Sequence, residues 1–391
     1  MNVPFFSDSK WVDLYPLGRS HQQGALLAGP LTVAEHWVQT VFESMLDSEQ
    51  IFRDKVHFAL ENGAINDRWI PNQQSVLAIA ELKPGHSLCS GENELFRWNH
   101  SIPQTGKTEA LHDAVSLVSH PTDLFRFASK WMESKTDQAV SSLALRPAHE
   151  LNIPEHVTII GESRHIWIHP DAKLTACTLN ATDGVIIIAS GVEVQEGAHL
   201  RGPLAILEGS IIKMGARLYG GTVIGPACRI GGEVANCVFT GFSNKGHDGF
   251  LGQSVIGKWC NLGADTNSSN LKSNYSSVRL WREETQRYED SGLQFCGLLM
   301  GDHSKSGINT MFNTGTTVGA GCNIFGGGFQ PKHIPSFSWG GGNDWDLHSF
   351  DKFVDTAMRV MSRRGEALSE SEIEAWREQH ELASSRFHAQ D

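Results

Sequence analysis

Aliphatic residues recur at every sixth position from Ile188 to Ile230, through Val194, Leu200, Ile206, Ile212, Leu218 and Ile224. Four residues after each comes a second, mostly small set: Val192, Ala198, Leu204, Ser210, Ala216, Thr222, Cys228 and Val234. Glycine stands between them at Gly191, Gly197, Gly209, Gly215 and Gly221. A period of six fits neither the helix nor the open sheet. It predicts a hexapeptide β-helix, in which three hexads make one triangular turn of about 18 residues. The phase is lost after Val234, returns at Phe250, Ile256 and Leu262, and recurs at Met300, Ser306, Phe312, Val318 and Ile324. The array therefore spans about 155–335 and holds roughly nine turns. Known coils of this type wind left-handed, against the usual crossover rule. The two breaks, 236–249 and 267–297, are expected to be loops leaving the coil, where function concentrates.

Other patterns flank the array. Residues 1–150 mix helical spacing, in Val33 to Met45 and Pro121 to Met132, with short apolar runs such as Ser75 to Ala80 that suit strands. Beyond Trp339-Gly340-Gly341-Gly342, the residues Leu347, Phe350, Val354, Ala357, Met358 and Met361 share one helical face that stops at Arg363-Arg364-Gly365. Ser369 and Glu372 form a capping box for a second helix carrying Ile373 and Trp376. These helices are expected to cover the open end of the coil. The arginine pair reads as a complement to a helix C-terminus. The expected fold is an α/β N-terminal domain (1–150), a left-handed parallel β-helix (155–335) and a C-terminal helical cap (343–391).

Composition narrows the partners. The 391 residues carry a formal net charge of −12 with interspersed signs, which argues against nucleic acid. No apolar stretch reaches membrane-span length. The first residues show no basic region followed by an apolar core. The seven cysteines lack a CxxC pair and suit buried packing positions in a reducing compartment. A soluble cytoplasmic protein is expected.

The stretch richest in chemistry runs from Gly241 to Gly252 and on to Asn270-Leu271-Lys272-Ser273-Asn274-Tyr275. His247, between glycines, can titrate near neutrality and act as a general base. Lys245 is a point charge suited to a phosphate. Asn274 and Tyr275 offer neutral hydrogen-bonding groups for a sugar or a carbonyl. The same residues could equally serve only to satisfy a surface loop.

The run from Lys245 to Tyr275 resembles the acetyltransferase half of the bifunctional UDP-N-acetylglucosamine pyrophosphorylase/glucosamine-1-phosphate N-acetyltransferase family. That family has a Lys-x-x-His loop, hexads and an Asn-Tyr dipeptide. Here stand Lys245-Gly246-His247, Phe250-Leu251-Gly252, Ile256, Leu262-Gly263-Ala264, and Asn274-Tyr275. The resemblance implies His247 as the base that deprotonates the attacking amine. It also implies Asn274 as support for the reacting group, and Asn261 and Tyr275 as sugar contacts. The cosubstrate it implies is acetyl-CoA, whose diphosphate would need cations; Lys258, Lys272 and Lys305 are available, with His303 as a further phosphate or pantetheine contact or a coil-corner residue. Arg229 and Lys213 are candidates for the sugar phosphate. Phe250 stands where the family has tyrosine, removing one hydroxyl.

Across 155–365 the chain resembles still more a shorter, sugar nucleotidyltransferase-like variant of the family. The strings that carry this are Gly231-Gly232-Glu233-Val234, Ser243 to Gly249, Trp259 to Ala264, Ser268 to Lys272, and Gly301-Asp302-His303-Ser304-Lys305-Ser306-Gly307. Such proteins imply a homotrimer with sites between neighbours. The first 150 residues lack the glycine-rich loop that a nucleotidyltransferase uses to cradle a triphosphate and Mg²⁺, and Arg19 is the one guanidinium left near that zone. Three functions are therefore expected in order: acetyl transfer to an amino-sugar phosphate, formation of a UDP- or dTDP-sugar (with Mg²⁺ only then), and non-catalytic binding of a sugar nucleotide. Zinc held by His247 and His303 is disfavoured by the lysine beside each, and no metal is expected.

Overall fold

The computed structural model describes residues 3–17, 24–46, 48–111 and 116–387. Its central body is a parallel coil with three faces. Ile186–Ile188, Leu204–Ile206 and Thr222–Ile224 pair in register on the first face. Glu193–Val194, Ile211–Ile212 and Arg229–Ile230 do so on the second, and His199–Arg201 with Arg217–Tyr219 on the third. One turn thus returns Ile188 to Ile206 and Ile206 to Ile224, the 18-residue repeat of the left-handed parallel β-helix. The aliphatic residues of the hexad point inward and are 0–1% exposed. The first face carries parallel rungs from Ile166–Ile168 to His333–Ile334. Its starting edge is covered by the antiparallel Arg146–Pro147, and the last strand of the second face by the antiparallel Asp344–Leu347. Both pairings satisfy edge groups that would otherwise invite another chain.

The segment 236–249 does not leave the coil. Val238–Phe239 and Asn244–Lys245 take the next rungs of the first and second faces. The count fails because turns are shortened: the inward residues Ile230, Val234, Phe239, Lys245 and Leu251 lie four, five, six and six apart. The second break is an insertion, though it begins later than expected. Asn267–Ser268 still pairs with Met311–Phe312. Beyond it the chain leaves and returns at Leu298–Met300 on the first face, carrying an antiparallel hairpin of Arg279–Arg282 and Arg287–Asp290. Val278 and Leu280 at the hairpin base are 0% and 1% exposed, so the insertion is packed down.

The N-terminal region is α/β. A mixed sheet orders the strands Phe5–Phe6, Gly63–Asn66, Asn93–Trp98, Ser87–Ser90 and Thr108–Ala110. Around it pack α1 (Val33–Leu46), α2 (Gln50–Asn62), α3 (Gln73–Glu81), α4 (Thr122–Ser134) and α5 (Thr136–Ser142). The run Ser75 to Ala80 is helical, within α3, and not a strand. Asn72 and Ser75 cap it reciprocally, and a short apolar run cannot by itself separate a strand from a buried helix. α4 lies across the first face of the coil, whose outward residues Ile187, Ala205, Val223, Val238, Val255 and Leu299 share one core with Leu124, Ala128 and Trp131. Both sides of this face are therefore apolar, as expected of a parallel sheet buried twice.

The C-terminal helices α6 (Phe350–Ser362) and α7 (Glu370–Phe387) sit along one corner of the coil and not over its end. At this corner Ala227, Phe242, Trp259, His303 and Phe337 all have φ between 55° and 62°. Each donates its N–H to a carbonyl one turn before, extending the ladder begun by Gly209. A left-handed side chain costs about 1–2 kcal/mol, which glycine avoids in the earlier turns. The large residues offset that cost by packing: Phe242 stacks on Trp259 at 4.2 Å, and Phe353 and Trp376 meet His303 edge-on. This apolar ladder is what α6 and α7 cover. No helix among the described residues is long and apolar enough to cross a membrane.

Candidate functional site

The shortened turns place Asn244 on the outer side of the second face and His247 three residues on, at the corner leading to the third. His247 is exposed. Three residues of extended chain reach about 10 Å at most, so His247 stays within that distance of Asn244, although it does not itself line the cleft onto which Asn244 opens. Asn244 opens onto a cleft of about 510 Å³ between the second face and the end of α6. The lining includes Arg229, Asn244, Asn261 and Lys305 from successive rungs, Phe242 and Trp259 from the aromatic corner, and Val360, Arg363 and Arg364 from α6 and its end. Of the residues singled out in the sequence, Arg229, Asn261 and Lys305 are brought together here.

The electrostatics of the cleft are one-sided. Four cationic side chains line it and no carboxylate does. Arg229 donates from Nη1 to the carbonyls of Ala227 and Cys228, at 3.1 and 3.3 Å. Arg364 donates from Nη1 to the Ala227 carbonyl and from Nη2 to Asn244 Oδ1, at 3.4 and 3.0 Å. Lys305 Nζ donates to the His303 carbonyl at 2.8 Å. Burial lowers the pKa of Arg364, and the neighbouring Arg229 and Arg363 lower it further. Burial likewise lowers Lys305. Arg364 thus carries its charge beside two other guanidinium groups with no carboxylate lining the cleft.

Other candidates fall elsewhere. Lys245 points into the coil at an inward position and is 1% exposed. Its Nζ donates to the carbonyls of Gly231 and His247, at 3.2 and 2.9 Å, and burial lowers its pKa to about 8. It is therefore no phosphate contact; it staples the corner that carries His247. His303 is buried in the aromatic ladder, with its pKa lowered to about 3 by burial, and cannot reach a cofactor. The coil-corner reading of that residue is the one the structure supports. Lys258 is half-buried, with burial lowering its pKa and the carboxylates of Asp302 and Glu372 opposing that shift. Lys272 Nζ is held by Ser276 Oγ and the Ser277 carbonyl. Neither lysine lines the cleft.

Asn274 and Tyr275 are exposed on the insertion. Asn274 Oδ1 accepts from Ser276 N and Oγ, at 3.1 and 2.9 Å, in a local turn. Within one chain they are separated from His247 by the third-face strand: Asp248 is joined to Asp265 at one corner, and Gln253 to Asn270 at the next. Arg19 lies outside the described residues. His247 and His303 occupy different corners and do not form one metal site.

Sequence reasoning missed the arginines of α6 and the aromatic corner. Arg363-Arg364 had a sufficient explanation in the helix terminus, whereas only the docking of α6 along the coil aims them at Arg229. The corner residues did leave a signal, since Phe242, Trp259, His303 and Phe337 continue the place of Gly191 and Gly209. The shortened turns hid it. A second cleft, of about 280 Å³, lies where the N-terminal domain meets the coil end, lined among others by Trp11, Tyr15, Trp281, Glu283, His333 and Arg386. Its polar groups are largely occupied with one another: Trp281 stacks on His333 at 3.9 Å, Tyr15 Oη lies 3.4 Å from His333 Nε2, and Arg386 pairs with Glu283.

No family model matches the chain. Individual relatives do. The bifunctional protein GlmU of Synechococcus elongatus is 30% identical over 181 residues, 44% of this chain and 35% of the relative. The bifunctional sugar-1-phosphate nucleotidylyltransferase/acetyltransferase of Sulfurisphaera tokodaii is 30% identical over 278 residues, 67% of this chain and 63% of the relative. The chain thus spans between about a third and under two thirds of the length of these two relatives. Among solved structures, a UDP-N-acetylglucosamine acyltransferase from Campylobacter jejuni aligns with 53% of the chain and 80% of its own at 13% identity and a TM-score of 0.26, too slight a likeness to add to the fold already described. By its sequence matches the chain is similar to the bifunctional GlmU proteins and to a bifunctional sugar-1-phosphate nucleotidylyltransferase/acetyltransferase.

Proposed function

We propose that the protein transfers an acetyl group from acetyl-CoA to the amine of an amino-sugar phosphate, with His247 as the base. The observation that carries this reading is the rung that presents an exposed histidine at one end and opens onto a four-cation cleft at the other. An ammonium cannot attack a thioester. Once the ammonium has lost one proton to solvent, its nitrogen bonds to the carbonyl carbon while the His247 imidazole takes a second proton from it, and a tetrahedral oxyanion forms. On collapse the carbon–sulfur bond breaks, and the imidazolium returns a proton to the departing thiolate. The cations hold the phosphates, and the side-chain amide of Asn261 supplies neutral contacts to the sugar. The sequence similarity supports this chemistry, since the Sulfurisphaera tokodaii relative is a bifunctional nucleotidylyltransferase/acetyltransferase.

Assembly belongs to the same proposal. Among the described residues the N-terminal domain covers the first face and α6 one corner, while the third face and the corner before it carry exposed apolar side chains. Ile308, Phe325 and Phe329 are 73%, 44% and 63% exposed there. A homotrimer packed along these surfaces would bury them and could bring Asn274 and Tyr275 of a neighbouring copy toward His247.

A second reading is supported by one observation: the match to the Sulfurisphaera tokodaii protein covers 67% of this chain, more than the coil alone. On that reading the N-terminal domain forms a sugar nucleotide, with Mg²⁺. A thermal-shift panel of acetyl-CoA, UTP, UDP-N-acetylglucosamine and sugar phosphates separates the two. Acetyl transfer predicts stabilisation by acetyl-CoA, by several degrees at saturating ligand. A response to UTP with none to acetyl-CoA would sink it.

A further inference from the structure

We propose that the cleft between the end of α6 and the second face binds a diphosphate group, clamped by Arg229 and Lys305 from the coil and by Arg363 and Arg364 from the helix end. This deepens the reading of the same site and rests on it for the identity of the ligand, but the binding itself is separately testable.

The first ground is charge. In a chain of net charge −12, surface arginines commonly meet a carboxylate, as Arg201 meets Asp183 and Arg217 meets Glu233. None of the four cleft cations pairs with a carboxylate among the described residues. Helix-dipole complementation is the competing account of the arginine pair. It needs a cation only in the last turn. It gives no reason for Arg229 and Lys305, which the coil brings to the same cleft from different rungs.

The second ground is organisation. Arg364 is bridged to the coil through Ala227 and Asn244, and Arg229 is held by two carbonyls, so both guanidinium groups stand fixed before any ligand arrives. A fixed guanidinium loses less entropy on binding and matches phosphate oxygens in pairs. Asn244 and Asn261 place side-chain amides beside them.

The third ground is placement. The cations come from two sides of the cleft, Arg229 and Lys305 from the coil and Arg363 and Arg364 from the helix end. A single phosphate offers one anionic group to both sides, whereas a diphosphate group offers one phosphate to each. A nucleoside-diphosphate sugar and coenzyme A both contain this group, and the geometry is common to both.

Calorimetric titration of the intact protein tests this with inorganic pyrophosphate, ADP, UDP-N-acetylglucosamine and CoA, against inorganic phosphate and pantetheine as ligands without the diphosphate. The expected result is measurable binding of pyrophosphate, stronger than that of phosphate, and no binding of pantetheine comparable to CoA. Arg363→Gln, on an exposed side chain outside the packed core, should weaken pyrophosphate about tenfold, and Arg229→Gln with Lys305→Gln further. His247→Ala should leave it unchanged. Whichever of UDP-N-acetylglucosamine and CoA loses affinity in the Arg363→Gln protein is the molecule that brings the diphosphate. Pyrophosphate that fails to bind, or binds equally to wild type and to all cleft variants, overturns the clamp even if acetyl transfer is observed. Cleft-dependent pyrophosphate binding without any acetyl transfer retains the clamp and removes the catalytic reading.

Discussion

Between Ile230 and Leu251 the coil drops residues, whereas between Asn270 and Gly297 it gains a hairpin. Both events break the same six-residue count, and they act in opposite ways. Shortening keeps the backbone in the coil and changes what fills its positions: a lysine enters the interior, a phenylalanine and then a tryptophan occupy a left-handed corner, and a histidine is left exposed. Insertion leaves the hexad series running through Met300, Ser306, Phe312, Val318 and Ile324, all buried, and adds a surface element. Its buried residues, Val278 and Leu280, join the core that links the N-terminal domain to the first face. The cationic cleft lies beside the shortened turns. An interruption in a repeat therefore does not by itself signal a loop.

The comparison can be broken at several points. The largest effect should come from the corner ladder that shortening continues with aromatic residues. Trp259→Ala removes the stack on Phe242 and a side chain 7% exposed. We expect a loss of about 3–5 kcal/mol in denaturant unfolding, together with release of α6. A loss under about 1 kcal/mol would mean that the corner is not what holds the helices.

Next comes the interior lysine. Burial lowers Lys245 to about 8 in the folded chain, against an ordinary lysine value of 10.5. Between these values the unfolded chain binds the extra proton, so the penalty is fully present below about pH 8 and fades as pH rises to about 10.5. Lys245→Met removes this titration. The stability of wild type relative to the variant should rise across that window by on the order of 3 kcal/mol. Parallel pH profiles for the two proteins would place the lysine in solvent instead.

The smallest effect belongs to the insertion. Arg386 of α7 pairs with Glu283 of the hairpin, with the arginine 47% exposed. Arg386→Ala should cost less than about 1 kcal/mol, as exposed pairs do, because the hairpin base is already held by Val278 and Leu280. A cost of several kcal/mol would show the insertion to be stapled from outside.

The regular part of the coil was fully legible in the residues. Ile188 to Ile230 repeat with no ambiguity of period, and they are the inward wall. The helix from Phe350 to Met361 was readable but its face only in part, since Met358 is 48% exposed and Phe353, outside the expected set, is 2% exposed. The Ser369–Glu372 box was readable too, and its reciprocal bonds are formed. Where α6 docks was not readable. An amphipathic face states that it is buried and leaves its partner unnamed, and the open end seemed the natural place until Arg364 met Ala227, well back along the coil. Lys245 was misread for a related reason: once the count lost phase, inward and outward could no longer be told apart, and charge alone pointed to the surface. Arg229, Asn261 and Lys305 were found as types suited to phosphate and sugar. Their convergence depends on a stacking register that two shortened turns had hidden.

The central claim is that the exposed histidine on the shortened rung is the base of an acetyl transfer. Its most direct test is the rate of CoA thiol release from acetyl-CoA with glucosamine-1-phosphate, compared between wild type and His247→Ala, with unfolding curves run on both. The account predicts release by wild type and a loss of about 100-fold or more in the variant at unchanged stability. Equal rates in the two proteins would contradict it.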